Sequence, residues 1–391
     1  MKNKVLKETV PFWRNIKVIH FFLQIIFLSL LIGVFYILIQ NAIAGLNRAG
    51  IKFGFQFLNA TASFPIGEKF LQYYPTDPYS RALLVGFSNT LKVTIIGIIL
   101  TTILGVVMGI ARLSSNWLAR TVSGLYVEIF RNTPVLVQIF IWYFAIFLPL
   151  PKIQEATHFA GAIISNRGLV FPWFELHTSS ITWFIIMVFA LFVSIGVWRL
   201  MLKRRIKTGE KKFPVLWGVG LFLLFALVAF AITGRPPVTA SLPVVDGMQV
   251  LGGLRFTPEF SAILFGLVFY TASYIAEIVR GGILAVSKGQ LEAANALGLR
   301  HFSTLRFVIF PQAIRTIIPP VTSQYLNLAK NSSLAVAVGY PDLFSVGNTV
   351  LNQSGRAIEV VIIMLIAYLT ISLMTALIMN IYNNTTKLVE R

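Results

Sequence analysis

The stretch LVGFSNTLKVTIIGIILTTILGVVMGI, residues 84–110, is an apolar run in which Lys92 is the one charged residue. About 20 apolar residues in a helix cross the roughly 30 Å hydrocarbon core of a bilayer, so this run is long enough to span a membrane. Similar runs recur along the 391-residue chain, in which 56% of the residues are hydrophobic and 12% are charged. The sequence therefore predicts an all-α polytopic membrane protein with about eight transmembrane helices. We place them at residues 19–39, 84–110, 133–150, 181–202, 215–233, 260–279, 318–338 and 360–382.

The formal net charge of +19 reflects where the cations lie. Most Lys and Arg residues fall in the head, in alternate connecting segments and in the tail, which predicts a multi-pass membrane protein with both termini cytoplasmic. A soluble basic domain with interleaved aromatic residues is absent from the sequence, which argues against nucleic-acid binding. The first apolar run is too long for a cleaved signal peptide, although the residues at 42–44 imitate a cleavage site.

Metal and thiol chemistry have no support in the sequence. The chain has no cysteine, and its four histidines are scattered, with no His-x-x-x-His spacing and no grouping with carboxylates. Between the fourth and fifth predicted spans, the basic residues 203–212 predict a topology determinant that contacts membrane lipid headgroups. No catalytic residues and no metal ligands are predicted.

A second stretch, QLEAANALGLRHFSTLRFVIFPQ at residues 290–312, is much more polar than its surroundings. A helix that begins near Lys288 presents Glu292, Ala293 and Ala294 as a compact face, and Gly298 can adopt the positive φ that ends such a helix. A second helical piece at 303–309 is expected to close at Pro311. The pattern predicts a helix-turn-helix on the cytoplasmic surface, with small residues and one anion that fit a groove on another protein.

The spacing in this stretch resembles the cytoplasmic loop of the membrane subunits of type I ABC importers. In that family the loop reads Glu-Ala-Ala, three residues, Gly, nine residues and Ile-x-Leu-Pro, and it docks into a cleft of the ATP-hydrolysing subunit. Val and Phe replace Ile and Leu here, which preserves an apolar helix edge. The resemblance implies that ATPase coupling rests on Glu292, Ala293, Ala294, Gly298 and Pro311.

Two further stretches, RNTPVLVQIFIWYF from Arg131 and YTASYIAEIVRGGIL from Tyr270, resemble the polar amino acid uptake branch of these importers. The region from Ala82 is similar to a permease subunit of general L-amino acid importers. The resemblance divides the chain into an N-terminal part (1–83), a transmembrane permease domain (84–383) and a tail (384–391). Relative to small members, the chain adds the first span and an insertion at about 151–257, and its coupling loop lies at about 285–317.

The resemblance also implies the partners. The sequence has no Gly-x-x-x-x-Gly-Lys-Ser/Thr phosphate loop, so ATP and Mg are expected on a separate cytoplasmic ABC ATPase dimer, with no cofactor in this chain. A periplasmic amino acid-binding protein and a second permease subunit, a related but non-identical chain, complete the expected importer. Receptor docking is our interpretation of the outer loop at 46–80.

Lys330 lies in the seventh predicted span, where a cation must be paired or face a wet cavity. Asn331, Ser332 and Ser333 follow it and favour an interrupted helix. These four residues are candidates for the substrate pathway, although Lys330 could instead bond to freed carbonyls or to an acid of a neighbouring subunit. Structural ion pairs are expected for Glu277 with Arg280 and for Glu128 with Arg131, because each pair is three residues apart on a helix. The second span's glycines predict close helix packing.

Two other functional classes remain open from the sequence. A secondary transporter driven by an ion gradient would need no ATPase, but the docking loop and the apparent lack of an inverted repeat argue against it. A membrane-embedded enzyme would need an acid-base or nucleophile constellation, and none is recognisable.

Overall fold

The computed structural model describes residues 16–48, 53–209, 213–247 and 249–385. Twelve α-helices and eight short β-strands form within these ranges. The α-helices are α1 (Ile16–Arg48), α2 (Tyr79–Ala111), α3 (Trp117–Asn132), α4 (Val135–Phe140), α5 (Thr178–Thr208), α6 (Pro214–Thr233), α7 (Pro258–Leu284), α8 (Lys288–Ala296), α9 (His301–Thr304), α10 (Phe310–Asn331), α11 (Leu343–Ser354) and α12 (Ala357–Thr385).

The predicted number of membrane spans is confirmed. Among the described residues, six helices are each long and apolar enough to cross a membrane, namely α1, α2, α5, α6, α7 and α12. Two bent helix pairs raise the number to eight when each pair is taken as one span. The all-α membrane fold predicted from the apolar runs is therefore confirmed.

The two bent pairs replace the predicted spans at 133–150 and 318–338. In the first, α3 meets the segment Val135–Phe147 at 106°, and that segment continues α4 as a π-helix over Ile141–Phe147. Pro134 caps α4 with an extended backbone, because proline cannot continue the α3 hydrogen-bond ladder. In the second, the helical segment Phe302–Val338 meets α11 at 57°.

Helix α7 is the centre of the bundle, and α2, α3, α4 and α10 all pack on it. The predicted close packing of the second span is confirmed at Gly105 and Gly109, where α2 touches α7. A Cβ atom on Gly105 would lie 2.7 Å from the Ile275 Cβ, and one on Gly109 would lie 2.8 Å from the Val279 Cβ. Glycine at these positions lets the two helix backbones approach closely.

The described part of the outer loop, residues 53–78, packs against the helix bundle rather than standing free. It contains one short 3₁₀ helix, Gln56–Asn59, and its Phe64 and Tyr73 join a hydrophobic cluster with residues of α2, α11 and α12. The Tyr73 hydroxyl donates to the Phe64 carbonyl oxygen at 2.8 Å. Burial raises the pKa of Tyr73, and the nearby Asp77 carboxylate raises it further.

Asn89 of α2 fastens this outer segment to the helices. Its side chain is fully buried and accepts a hydrogen bond from the Phe70 amide at 3.1 Å. Its amide group donates to the carbonyl oxygens of Glu68 and Pro341, each at 2.9 Å. One side chain therefore connects α2, the outer segment and the junction between α10 and α11.

Short strands occupy the connections that flank α5 and α6. A four-stranded antiparallel sheet has the order β1-β2-β3-β8, and β4-β5 and β6-β7 form two further pairs. The strands are β1 (Thr157–Phe159), β2 (Ala162–Ser165), β3 (Gly168–Phe171), β4 (Trp173–Leu176), β5 (Val238–Ser241), β6 (Val244–Asp246), β7 (Gln249–Leu251) and β8 (Leu254–Phe256). Segments of three or four residues are too short for a strand period to emerge from the sequence.

The strand pairing fixes the direction of α5 and α6. Because β4 pairs antiparallel with β5, α5 begins and α6 ends on the strand side. Helix α7 also begins on that side, directly after β8, and leads to α8 at its other end. The basic end of α5, at residues 199–207, therefore lies on the same side of the bundle as α8.

Candidate functional site

The first part of the candidate site is the segment that follows α7. Helix α8 has Glu292 and Ala293 exposed and Ala294 buried. The three residues of the predicted compact face therefore do not share one environment. Gly298 has a φ of +70°, which confirms the predicted helix end, and its amide donates to the Asn295 carbonyl oxygen at 2.9 Å. A residue with a Cβ is strained in this conformation.

The predicted end of the second helical piece at Pro311 is wrong. After α9, a π-helix at Leu305–Ile309 leads directly into α10, and Pro311 lies in the first turn of that helix. The π-helix shifts the hydrogen-bond register, with the Phe310 amide donating to the Leu305 carbonyl oxygen, so the chain continues as a helix past the proline. The Gln312 side chain donates to the Gln290 side chain at 3.2 Å, which holds α8 against the start of α10.

The coupling surface, as we name the exposed face of residues 288–309, is apolar at its centre. Leu297, Phe302 and Phe307 are 79%, 70% and 67% exposed. Lys288, Arg300 and Arg306 are exposed around them. An exposed apolar patch with a charged rim is typical of a protein docking surface.

An ion cluster lies where α2 and α7 approach this surface. The Glu277 carboxylate accepts from the Arg280 Nη2 at 2.6 Å, which confirms the predicted pair, and it also pairs with Arg112, the residue that follows α2. The predicted pair of Glu128 with Arg131 is wrong. Arg131 instead places its guanidinium 5.4 Å from the centre of the Tyr274 ring on α7, a cation-π contact that draws it away from its own helix.

The second part of the site is a polar face on α10. Lys330, Asn327, Ser323 and Thr316 are exposed, and their spacing by three, four and seven residues places them on one face. The opposite face, with Val321, Tyr325 and Leu328, is buried in the bundle. Within the described part of the chain, the Lys330 ammonium group has no hydrogen bond or ion pair.

The residues after Lys330 behave differently from it. Helix α10 ends at Asn331 and a 3₁₀ helix follows at Ser332–Val338, so the helix changes type where the sequence predicts an interruption. The turn itself lies further on, after Gly339, whose φ is +77°. Ser332 is buried and donates to the Ala329 carbonyl oxygen, and Ser333 donates to the Lys330 carbonyl oxygen. Both hydroxyls therefore satisfy the backbone, and Lys330 stands apart from them on the exposed face.

Sequence inspection missed a third feature, a cavity of about 410 Å³ beside the outer segment. Residues 64–68 line it together with Thr257 and Glu259 near the start of α7 and with residues of the α10-α11 junction, and we name it the outer cavity. The Glu68 carboxylate pairs with the Lys92 ammonium at 2.7 Å and accepts a hydrogen bond from the Thr257 hydroxyl. Lys92, the lone cation of the opening stretch, was the one available signal.

The comparisons with known proteins identify the family. Residues 212–387 match the family described as binding-protein-dependent transport system inner membrane component. Over 371 residues, the chain is 45% identical to the general L-amino acid transport system permease protein AapQ of Rhizobium johnstonii, an alignment that covers 95% of this chain and 92% of that protein. The chain belongs to this transport permease family.

Two other similar proteins carry names that specify the amino acids they transport. The chain is 38% identical over 400 residues to the glutamate/glutamine/aspartate/asparagine transport system permease protein BztB of Rhodobacter capsulatus, and the alignment covers 94% of each chain. It is 33% identical over 149 residues to the glutamine transport system permease protein GlnP of Escherichia coli, covering 38% of this chain and 68% of that one. The resemblance to type I ABC importer permeases is thus confirmed, and the ion-gradient alternative is not supported.

Proposed function

We propose that this permease subunit carries L-amino acids across the bacterial inner membrane into the cytoplasm by alternating access. The names of its relatives, all transport permeases for amino acids, support the substrate class. In this proposal a periplasmic binding protein delivers the substrate, and ATP is hydrolysed with Mg²⁺ on a cytoplasmic ATPase dimer. A second, related but non-identical permease chain completes the pathway.

The observation that carries the proposal is the coupling surface at the end of α7. Because α7 is the helix on which the other core spans pack, a displacement of α8 is passed to the whole bundle. The exposed Leu297, Phe302 and Phe307 supply apolar contact area for the ATPase, and Glu292 supplies an anion beside them. Closure of the ATPase dimer on ATP would then rock the spans.

The topology in this proposal places the coupling surface and both termini in the cytoplasm. The basic end of α5 lies on the same side as α8, which agrees with the excess of cations on cytoplasmic segments. Helix α12 begins near the outer segment, since the Gly54 amide donates to the Glu359 carboxylate at 3.1 Å, and its other end therefore lies on the α8 side.

We assign the polar face of α10 to the substrate pathway. Exposed polar residues within a span face either a wet cavity or another subunit, since lipid does not solvate them. Lys330 has no partner within the described chain and would attract the carboxylate of a passing amino acid. Asn331 and the hydroxyls of Ser332 and Ser333 shape the end of α10 beside it rather than presenting a continuous binding surface.

The proposal is tested by uptake of labelled amino acid into proteoliposomes that contain the assembled importer, with and without ATP. Gly298→Pro removes an amide donor and imposes a negative φ at the end of α8, so uptake should fall at least tenfold. The matched control is Gly209→Pro, because Gly209 also ends a helix on the α8 side with a φ of +68°. It should leave uptake within about twofold of the natural chain, since the coupling surface is untouched.

Uptake that ignores ATP and follows an imposed proton or sodium gradient would overturn the proposal. Equal losses in Gly298→Pro and Gly209→Pro would overturn the coupling role of α8. Co-purification of the ATPase with each variant shows whether the lost uptake reflects lost docking or lost transmission.

A further inference from the structure

The outer cavity has an unequal balance of charge. Glu68 and Glu259 both line it, and the Glu68 charge is matched by Lys92 of α2. The Lys92 ammonium is held in place, because it also lies 4.2 Å from the centre of the Phe260 ring. Among the described residues, no cation lies within ion-pair distance of Glu259. The cavity therefore carries one uncompensated carboxylate.

Glu259 is also held in a defined position. It lies in the first turn of α7, where the helix dipole favours a negative charge, and Pro258 and Phe260 on either side of it are buried. Its Oε1 accepts a hydrogen bond from the Tyr143 hydroxyl at 3.2 Å. The carboxylate is thus held in place at the outer end of the helix that leads to the coupling surface.

The size and the remaining walls of the outer cavity suit a small polar molecule. Its volume of about 410 Å³ falls within the range of roughly 300–1,000 Å³ that is usual for small-molecule sites. Ser345 and Thr349 of α11 supply hydroxyl groups, and Phe64, Pro65 and Ile66 of the outer segment supply an apolar wall. An amino acid complements these walls, with an ammonium group for the Glu259 carboxylate, a carboxylate for the hydroxyl groups and a side chain for the apolar wall.

We infer that the outer cavity is an entry site for the transported amino acid, in which the Glu259 carboxylate binds its ammonium group. The inference rests on the proposed function, since it assigns a binding residue for the same substrate class. It also gives the outer segment a role, because residues 64–68 form a wall of this entry site and are fastened by Asn89.

The chain contains no cysteine, so a single introduced cysteine reports on the outer cavity without further engineering of this subunit. Thr349→Cys is placed in the assembled importer in proteoliposomes and reacted from outside with a cationic thiosulfonate reagent, and modification of this chain is followed by mass. Loaded binding protein should slow the modification at least fivefold relative to empty binding protein. Leu242→Cys, on an exposed outer loop away from the cavity, should react equally in both cases.

Glu259→Gln in the Thr349→Cys chain should abolish this protection, because the amide still accepts from Tyr143 but no longer pairs with an ammonium. It should also raise the KM for uptake about tenfold with little change in kcat. Glu259→Asp should restore part of the protection, and Tyr143→Phe, which leaves the carboxylate charge, should keep most of it.

Full protection in Glu259→Gln, or equal loss in Tyr143→Phe, would overturn the inference. So would ATP-dependent uptake by the natural chain without any protection of Thr349→Cys, and that result would leave the proposed function intact. Absence of ATP-dependent uptake in the natural chain would instead overturn the proposed function itself.

Discussion

Helix α7 and the hairpin of α5 and α6 are both apolar enough to cross a membrane, but the rest of the chain buries them to very different extents. In the apolar 18-residue stretch that marks each helix as a candidate span, 67% is buried in α7, against 17% in α5 and 11% in α6. Helix α7 contacts α2, α3, α4 and α10, whereas the main helix contacts of α5 and α6 are with each other. The helices around α7 therefore pack as one unit, and the hairpin is attached to them through the strands.

This difference predicts that equivalent substitutions have unequal effects in the two regions. The largest effect is expected at Gly105, where a larger side chain must displace Ile275 and approach the Ala272 carbonyl oxygen, 3.2 Å from an added Cβ. Gly105→Val should lower the free energy of unfolding by about 3 kcal/mol, the upper part of the usual range for over-packing. Thermal unfolding of the purified protein measures the loss.

The control is Gly196→Val in α5, because no atom lies within 4 Å of a Cβ added there. It should change the melting temperature by no more than about 0.5 °C, which corresponds to a few tenths of a kcal/mol. Similar losses in both variants would show that the hairpin is packed as tightly as the core and would contradict the comparison.

A second, smaller effect is expected where the outer segment is fastened to the core. Asn89→Leu removes three hydrogen bonds and leaves the Phe70 amide and the carbonyl oxygens of Glu68 and Pro341 without their partner. We expect a loss of about 2 kcal/mol, because a buried polar group without a partner costs roughly 1–3 kcal/mol and water can reach part of this site. Limited proteolysis should then cleave the outer segment at least tenfold faster.

Asn352→Leu on the exposed side of α11 provides the comparison for Asn89, since it changes the same residue type outside the buried junction. It should leave the proteolysis rate of the outer segment unchanged. If Asn89→Leu also left it unchanged, the outer segment would be held by the hydrophobic cluster of Phe64 and Tyr73 alone.

A third prediction separates the two charge pairs that have the same sequence spacing. Glu277→Gln leaves Arg112 and Arg280 close together without their shared anion, so stability should fall by about 1 kcal/mol, a value kept small by partial exposure to solvent. Glu128→Gln should have no measurable effect, because Arg131 contacts Tyr274 instead. Thermal unfolding at low and high salt checks both, and a salt-sensitive change in Glu128→Gln would contradict the assignment.

These contrasts also show what the sequence could predict. The long apolar runs predicted the number of spans, because bilayer thickness sets the length of a spanning helix. The helix end at Gly298 was predictable because a positive φ at a helix end favours glycine. The two charge pairs show the limit. Spacing on one helix places Glu128 near Arg131, but Tyr274 of another helix decides where the guanidinium goes.

The outer cavity was unpredictable for a related reason. Its ion pair joins Glu68 to Lys92, and its third wall comes from α11, more than 250 residues further along the chain than Lys92. The π-helix before Pro311 escaped prediction because a proline signals an interrupted hydrogen bond, while the compensating register shift depends on the neighbouring turn. Local patterns identify elements, and contacts between elements decide their chemistry.

The smallest effect is expected when the hairpin of α5 and α6 is removed altogether. Because β4 pairs with β5 in the register that sets Leu176 opposite Val238, residues 177–237 can be replaced by Asn-Gly, a two-residue turn that suits antiparallel strands. Two hydrogen bonds at the base of the hairpin, from Trp183 to Arg235 and from Ser180 to Pro237, lie entirely within the deleted segment. A third, between His177 and Thr239, is lost, but the Thr239 side chain is only half-buried and lies outside the core. Removal therefore leaves no buried polar group of the core without a partner.

ATP-dependent uptake in proteoliposomes should stay within about twofold of the natural chain, since the contacts around α7 are retained. A loss of uptake with the ATPase still bound would show that the hairpin contributes to transport through another subunit, and the contrast between the α7 bundle and the hairpin would then hold for stability alone.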